Sequence, residues 1–182
     1  MNTSLLKRTA LLLSLLGWGL ALPACSQDKS AHPGRDPAYD QMLRVLYRET
    51  VPLMQPAELA ARLQRAPQSV LLLDARTPAE YKVSHLAGAR LVDFDHFEQA
   101  DFSGLPRDRT VVVYCSVGYR SERVGERLQT LGFATVRNLY GGIFQWVNEG
   151  RPVFNAKGAT TNIHPYSALW SSWLSRGKPV YE

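Results

Sequence analysis

A cysteine, a glycine and an arginine stand close together after an apolar run, and this combination could support nucleophilic chemistry. The stretch VVVYCSVGYRSERV, at residues 111–124, contains Cys115, Gly118 and Arg120. A thiol reacts as the thiolate, and that anion is favoured by a nearby cation and by converging backbone N–H groups. The pattern therefore predicts a catalytic pair in which Cys115 is the nucleophile and Arg120 stabilises its negative charge.

The residues around this pair suit a short loop that leads from a strand into a helix. Gly118 can take a positive φ at no steric cost, and a helix predicted to begin near Ser121 would add the partial positive charge of its N-terminus. We expect the substrate-binding loop to consist of Ser116, Val117, Gly118, Tyr119 and Ser121. The alternative is that Cys115 is an inert, buried small side chain at the end of a strand.

The rest of the chain alternates between predicted strands and helices. Residues 69–73 and 111–114 are continuous apolar runs, which are typical of strands buried on both faces of a sheet. Further strands are predicted at 89–92 and 134–139, and helices from Pro37, from Pro56, after Thr77, over 121–131 and over 143–149. This order indicates an α/β domain with a central parallel sheet and helices on both faces. Ligands bind such sheets at the carboxyl ends of the strands, where Cys115 lies.

The N-terminus has the pattern of an export signal. Lys7 and Arg8 precede an apolar stretch at 10–20, which is too short for a comfortable membrane span. The sequence ALPAC follows at 21–25 and resembles the lipobox of bacterial lipoproteins. The pattern predicts that Cys25 becomes lipidated. The alternative is plain secretion, with Cys25 incidental.

The cellular location and the first boundaries follow from that signal. Residues 1–24 are expected to be the signal peptide, and residues 25–36 a polar, flexible tether. Ser26 follows Cys25, and in Gram-negative lipoproteins a residue other than aspartate at that position indicates sorting to the outer membrane. The expected location is therefore the cell envelope, with the protein anchored by its lipid to the outer membrane and facing the periplasm. Lipidation of Cys25 would leave Cys115 as the one thiol of the mature protein.

Two further segments complete the predicted organisation. Residues 37–155 form the α/β domain, including an amphipathic N-terminal helix, and residues 156–182 form a C-terminal extension. The aromatic residues of this extension are Tyr166, Trp170, Trp173 and Tyr181. We expect the extension to pack on the domain and bury its tryptophans, because exposed aromatic side chains are costly in a monomer. A partner-binding surface is the alternative, and His164 is expected to be structural.

Composition narrows the classes of function. The chain has 182 residues and a formal net charge of +5, but its Lys and Arg residues are scattered among Asp and Glu. Phosphate binding needs a clustered basic patch, so nucleic-acid binding is not expected. Four scattered histidines and one free thiol do not make a ligand set, so no metal is expected. Contact with a membrane is expected only through the N-terminal lipid.

Taken together, these motifs resemble the rhodanese family. The resemblance runs from about Val51 to Val153 and joins the cysteine loop to the upstream stretches LLLDARTPAEY and SHLAGA. The residues that fall where the family's first motif has such residues are Asp74, Arg76, Glu80, Tyr81, His85 and Gly88. The residues that match its closing helix are Gly141, Gly142 and Trp146. The domain is thus identified as a single rhodanese-like domain.

The resemblance implies a sulfurtransferase. In that family a parallel sheet is flanked by helices, and the active cysteine carries a persulfide. By resemblance, the Cys115 thiolate would take the outer sulfur of a small donor such as thiosulfate and pass it to a thiol, to cyanide or to a cysteine of a partner protein. No cofactor is implied beyond that covalent persulfide. Asp74 and Arg76 would brace the sheet and the loop, with Arg76 near the mouth of the pocket.

The length of the loop separates this chemistry from a related one. Relatives of the same fold with seven-residue loops act as phosphatases, whereas the loop from Cys115 to Arg120 has six residues. A smaller ring of amides should fit a sulfur atom better than a tetrahedral phosphate. Arg120 is the one cation of this loop, and Tyr119 adds an aromatic face at its entrance. Together they would suit a less charged donor or a protein acceptor. The alternatives to sulfur transfer are a non-catalytic module that binds a partner at the cell envelope and a redox role for Cys115.

Overall fold

The computed structural model describes residues 36–181 of the chain. The predicted signal peptide, Cys25 and the tether up to residue 35 lie outside the described residues. Between residues 36 and 181, no helix combines the length and the apolar character that crossing a membrane requires.

The described residues form short strands and helices that alternate along most of the chain. The strands are β1 (Leu53–Met54), β2 (Val70–Asp74), β3 (Arg90–Leu91), β4 (Thr110–Tyr114), β5 (Val136–Leu139), β6 (Val153–Asn155), β7 (Gly158–Thr160), β8 (Asn162–Ile163) and β9 (Lys178–Pro179). The α-helices are α1 (Pro37–Leu46), α2 (Pro56–Arg65), α3 (Pro78–Val83), α4 (Tyr119–Thr130), α5 (Gly142–Asn148) and α6 (Ala168–Ser171). Single 3-10 turns span Pro67–Ser69 and Phe94–His96.

Five of these strands form the central sheet, in the order β1-β5-β4-β2-β3, and all their pairings are parallel. The longest pairing joins β2 to β4, from Val70 opposite Thr110 to Asp74 opposite Tyr114. Strand β4 is therefore the middle strand, and its carboxyl end opens between β2 and β5. The predicted α/β fold with a central parallel sheet is confirmed.

Side chains of the central strands alternate between two buried clusters, one on each face of the sheet. In β4, Val112 and Tyr114 belong to the cluster that α1, α2 and α5 cover. Val111 and Val113 belong to the other cluster, which contains Val124 of α4. Burying one such side chain stabilises the fold by about 1.5–3 kcal/mol. This packing fixes the sheet and thereby the position of the loop that follows β4.

Most predicted elements are confirmed, with shifts at their ends. Helix α4 begins at Tyr119, two residues before the predicted start, because Gly118 with a φ of +105° serves as its N-cap. Of the strand predicted at 89–92, only Arg90–Leu91 pairs with the sheet. The two-residue strand β1 was not predicted, since two residues are too few to show a periodic pattern.

The C-terminal segment packs against α1 and α5. The rings of Trp173 and Tyr39 lie 5.6 Å apart between their centroids. Asn148 of α5 donates through Nδ2 to the carbonyl of Trp173 at 2.9 Å and accepts at Oδ1 from the N–H groups of Ser175 and Arg176. These contacts hold the segment that carries Trp170 on the side of the sheet that α1 also covers.

Candidate active site

Cys115 lies at the carboxyl end of the middle strand, directly after the last residue of β4. Only 1% of the residue is exposed. The N–H of Gly118 donates to its Sγ at 3.1 Å, and Ser121 lies beside the sulfur. Since Ser121 is in the first turn of α4, the partial positive charge of that helix N-terminus also acts on the sulfur.

The backbone of the loop is held so that its carbonyls turn away from the sulfur. The donors to the carbonyls of residues 115, 116, 117 and 118 are, in that order, Ile143 N at 2.9 Å, Phe144 N at 3.1 Å, the Tyr47 hydroxyl at 2.6 Å and Asn138 Nδ2 at 2.9 Å. The C=O and N–H of a trans peptide unit point in opposite directions. Because these carbonyls are anchored on the side away from the sulfur, the loop's N–H groups are directed toward the side that faces it.

Two glycines make this close packing possible. Gly118 has a φ of +105°, and a Cβ there would overlap the side chain of Tyr47. Gly142 has a φ of +56°, and a Cβ there would overlap the carbonyl oxygen of Cys115. Glycine takes such left-handed conformations without strain. The loop and the N-terminus of α5 can thus lie in direct contact.

The surroundings of Cys115 favour its ionised form. Burial by itself would raise the pKa of the thiol, because it penalises the charged state. The positive charge of Arg120, the polar groups of Ser121 and the hydrogen bond from Gly118 act in the opposite direction and outweigh burial. The pKa of Cys115 is consequently lowered, which increases the fraction of nucleophilic thiolate at neutral pH.

Arg120 is bound by a buried carboxylate, Glu80, which the sequence analysis had only matched to the family's first motif. Its Nη1 and Nη2 donate to Glu80 Oε2 and Oε1 at 2.8 and 2.7 Å, and Nη2 also donates to the Ser116 hydroxyl at 3.1 Å. Glu80 also closes a capping box with Thr77 at the start of α3. Burial would raise the pKa of Glu80, but the bonds and charge of Arg120 lower it to about 2. The Arg120 charge is thus shared between the Cys115 sulfur and a fully ionised partner.

Asp74 and Arg76 form a second buried ion pair, beneath the sheet end. Arg76 donates to both oxygens of Asp74, at 2.8 and 2.7 Å, and to the carbonyl of Ser84 at 2.5 Å. Both side chains are fully buried. The expected position of Arg76 near the pocket mouth is therefore wrong, because Asp74 draws the guanidinium into the interior.

A cavity of about 470 Å³ opens beside Cys115. The predicted loop residues that line it are Cys115, Ser116, Val117, Tyr119 and Arg120. The other lining residues are Leu46, Phe94, Asp95, Tyr166 and Trp170. Gly118 and Ser121 contact the sulfur but do not line the cavity. In the part of the chain that the structure describes, no group of three or more His, Cys, Asp or Glu side chains is placed to hold a metal ion.

Several residues of the site escaped the sequence analysis, although some carried a signal. Asn138 is a buried amide within a strand, and its Oδ1 accepts from the Ser121 hydroxyl at 2.8 Å while its Nδ2 holds the loop. A polar residue inside an apolar strand could have pointed to it. Trp170 and Tyr166 belong to the aromatic extension that was expected to pack on the domain. Nothing in the sequence placed them beside Cys115.

The fold and the site together define an α/β protein with a parallel sheet and, at the end of the middle strand, a cysteine whose thiolate form is stabilised by its surroundings. The chain belongs to the rhodanese-like family: the model of the rhodanese-like domain matches residues 55–149, just over half of the chain. The N-terminal helix α1 and the C-terminal segment that contains Tyr166 and Trp170 lie outside the matched residues.

Its relatives include proteins named as sulfurtransferases. A sulfurtransferase of Allochromatium vinosum is 37% identical over 91 residues, which cover 50% of this chain and 84% of that protein. The probable adenylyltransferase/sulfurtransferase MoeZ of Mycobacterium tuberculosis is 33% identical over 86 residues, covering 47% of this chain but 22% of MoeZ. The crystal structure of a thiosulfate sulfurtransferase from Pseudomonas aeruginosa is similar with a TM-score of 0.51 and 26% identity, over 58% of this chain and 19% of that one.

Proposed function

We propose that this protein is a sulfurtransferase in which Cys115 carries the transferred sulfur as a persulfide. The observation that supports this most directly is the loop that stabilises a thiolate at Cys115 beside an open cavity. The family and its named sulfurtransferase relatives support the same chemistry. The donor is a small sulfane-sulfur compound, of which thiosulfate is the simplest.

In the first step the Cys115 thiolate attacks the outer sulfur of the donor. A bond forms between Sγ and that sulfur, and the donor's own S–S bond breaks, its electron pair leaving with the remainder. From thiosulfate the products are the ionised Cys115 persulfide and sulfite, so the total charge is unchanged. The loop's N–H groups and Arg120 would stabilise the negative charge that moves onto the terminal sulfur.

In the second step a thiolate acceptor attacks the outer sulfur of the persulfide. The new S–S bond belongs to the acceptor, and the pair of electrons from the broken bond returns to Sγ, which regenerates the Cys115 thiolate. The acceptor is a small thiol or a cysteine of a partner protein. Cyanide can attack the same sulfur through its carbon, in which case the new bond is the C–S bond of thiocyanate and the electron pair returns to Sγ in the same way. This double displacement replaces one difficult transfer by two easier ones.

The transferred sulfur is expected on Cys115 alone when the purified chain is incubated with thiosulfate or with benzenethiosulfonate. The intact mass should rise by one sulfur atom, peptide mapping should place that atom on Cys115, and added cyanide should remove it. The Cys25→Ser variant, which leaves the described domain untouched, should gain the same mass. Absence of sulfur on Cys115 with both donors would refute the proposal.

We further propose that the protein acts at the cell envelope, held by a lipid on Cys25, and faces the periplasm from the outer membrane. The proposal rests on the N-terminal sequence pattern. The same mass measurement, made on protein purified from its own host, tests it. An unacylated Cys25 in the mature protein would contradict the anchor.

A further inference from the structure

We propose that the cavity selects a sulfane-sulfur donor with an apolar, preferably aromatic, substituent over inorganic thiosulfate, and that Tyr166 and Trp170 determine this choice. The inference rests on the proposed sulfur transfer at Cys115 and adds the class of donor. It concerns two residues outside the segment that matches the family.

The charges around the cavity do not favour a dianion. Arg120 is the one Lys or Arg side chain among the described residues that line it, and both of its terminal nitrogens are engaged by Glu80. Asp95 is also in the lining, and the Cys115 thiolate supplies a further negative charge. Thiosulfate would bring two more negative charges into the cavity. Like charges close together in a partly desolvated site repel, so a donor with less charge is favoured.

The walls of the cavity offer apolar contact instead. The aromatic and aliphatic residues of the lining are Leu46, Phe94, Val117, Tyr119, Tyr166 and Trp170. A volume of about 470 Å³ lies in the range of sites for small organic molecules and far exceeds the needs of a small inorganic ion. An aromatic group next to the reacting sulfur would therefore gain buried contact area that thiosulfate cannot use.

Tyr166 is held in place at a cost to the backbone. Its φ is +66°, which is left-handed and unfavourable for a residue with a side chain. The N–H of Tyr166 donates to His164 Nδ1 at 3.1 Å, and the Arg120 guanidinium carbon lies 5.0 Å from the centre of its ring. Trp170 packs on the core cluster and so is positioned by the fold. Strained residues that persist beside a reactive group point to a role in the site.

Thiosulfonates make a balanced probe of this proposal. The Cys115 thiolate attacks the terminal sulfur of R–SO₂–S⁻, the S–S bond of the donor breaks, and the electron pair leaves with the sulfinate R–SO₂⁻. The charge is two negative units before and after the step, and no oxidant or reductant is needed. Benzenethiosulfonate and methanethiosulfonate have the same reacting group and charge and differ only in the substituent.

The experiment compares kcat/KM for these two donors and for thiosulfate, with the full chain and a thiol acceptor. The kcat/KM for benzenethiosulfonate is divided by that for methanethiosulfonate. This ratio is then divided by the ratio of the two donors' rates with free N-acetylcysteine, which corrects for their difference in intrinsic reactivity. For the wild type we expect a corrected ratio of about ten or more, from burial of the ring, and thiosulfate as the poorest donor. The Trp170→Ala variant should lower the corrected ratio at least several-fold.

Two further variants make the result specific. Tyr166→Gly should also lower the corrected ratio, and because glycine accepts a φ of +66° without strain it should not weaken the fold. Leu169→Ala is the matched control, since Leu169 neighbours Trp170 on α6 but is 79% exposed, and its ratio should equal that of the wild type. A wild-type corrected ratio near one, or thiosulfate as the best donor, would overturn the inference and leave the proposed function intact. No persulfide from any donor would instead refute the proposed function.

Discussion

Replacing Cys115 with serine is expected to abolish sulfur transfer, with a loss of turnover of at least about a thousandfold. A serine hydroxyl is far less acidic than a thiol and forms no persulfide, so neither step of the double displacement can occur. The measurement is the rate of sulfite or sulfinate release with a thiol acceptor present, compared between variant and wild type at saturating donor.

The same variant separates catalysis from a purely structural role. The serine oxygen can accept the Gly118 N–H bond that Sγ accepts, so the free energy of unfolding should change by no more than about 1 kcal/mol. A correctly folded Cys115→Ser protein that kept a tenth of the turnover would contradict the assignment. Unchanged function of that variant in the cell would favour the alternative of a non-catalytic binding module.

Replacing Glu80 with glutamine is expected to lower the free energy of unfolding by about 3 kcal/mol at neutral pH. Glu80 is fully buried, and its pKa falls from 4.5 to about 2 when the chain folds. A carboxylate with a lowered pKa stabilises the fold fully above its unfolded pKa and loses that contribution as the pH falls toward its folded pKa. The wild type and variant stabilities should therefore differ most above about pH 5 and converge toward about pH 2.

Urea unfolding as a function of pH measures this difference. The matched control is Glu58→Gln, because Glu58 pairs with Arg62 at 3.0 Å on the surface of α2 and both side chains are well exposed. Exposed pairs of this kind contribute about 0.5 kcal/mol or less. Equal effects of the two substitutions, or a Glu80→Gln effect that does not shrink in acid, would show that the Glu80–Arg120 pair does not stabilise the loop.

The sheet could be predicted from the sequence because its strands are buried on both faces. Residues 70–73 and 111–114 are continuously apolar, and the structure places alternate residues of each run in opposite clusters. The start of α4 was missed by two residues, since only the left-handed backbone of Gly118 shows where the helix begins. Strand β1 is too short to produce a pattern and is defined by its pairing with β5.

The site could be predicted only as far as it is local in the chain. The spacing of Cys115, Gly118 and Arg120 defines the loop within a few residues. The partner of Arg120 is 40 positions away, and no local pattern in the sequence links Glu80 to it. The cavity wall from Tyr166 and Trp170 depends on how the C-terminal segment packs, which residue types alone do not specify.

The ionisation of Cys115 is the property on which the proposed chemistry depends. The ultraviolet absorbance of the thiolate is followed with pH in the wild type and in Cys115→Ser. The difference between the two curves measures the ionisation of Cys115 without interference from Cys25. We expect Cys115 to titrate below about 8.5, the ordinary pKa of a cysteine thiol, and we expect that midpoint to rise in Arg120→Met, which removes the cation. A Cys115 midpoint at or above the ordinary value in the folded wild type would contradict it.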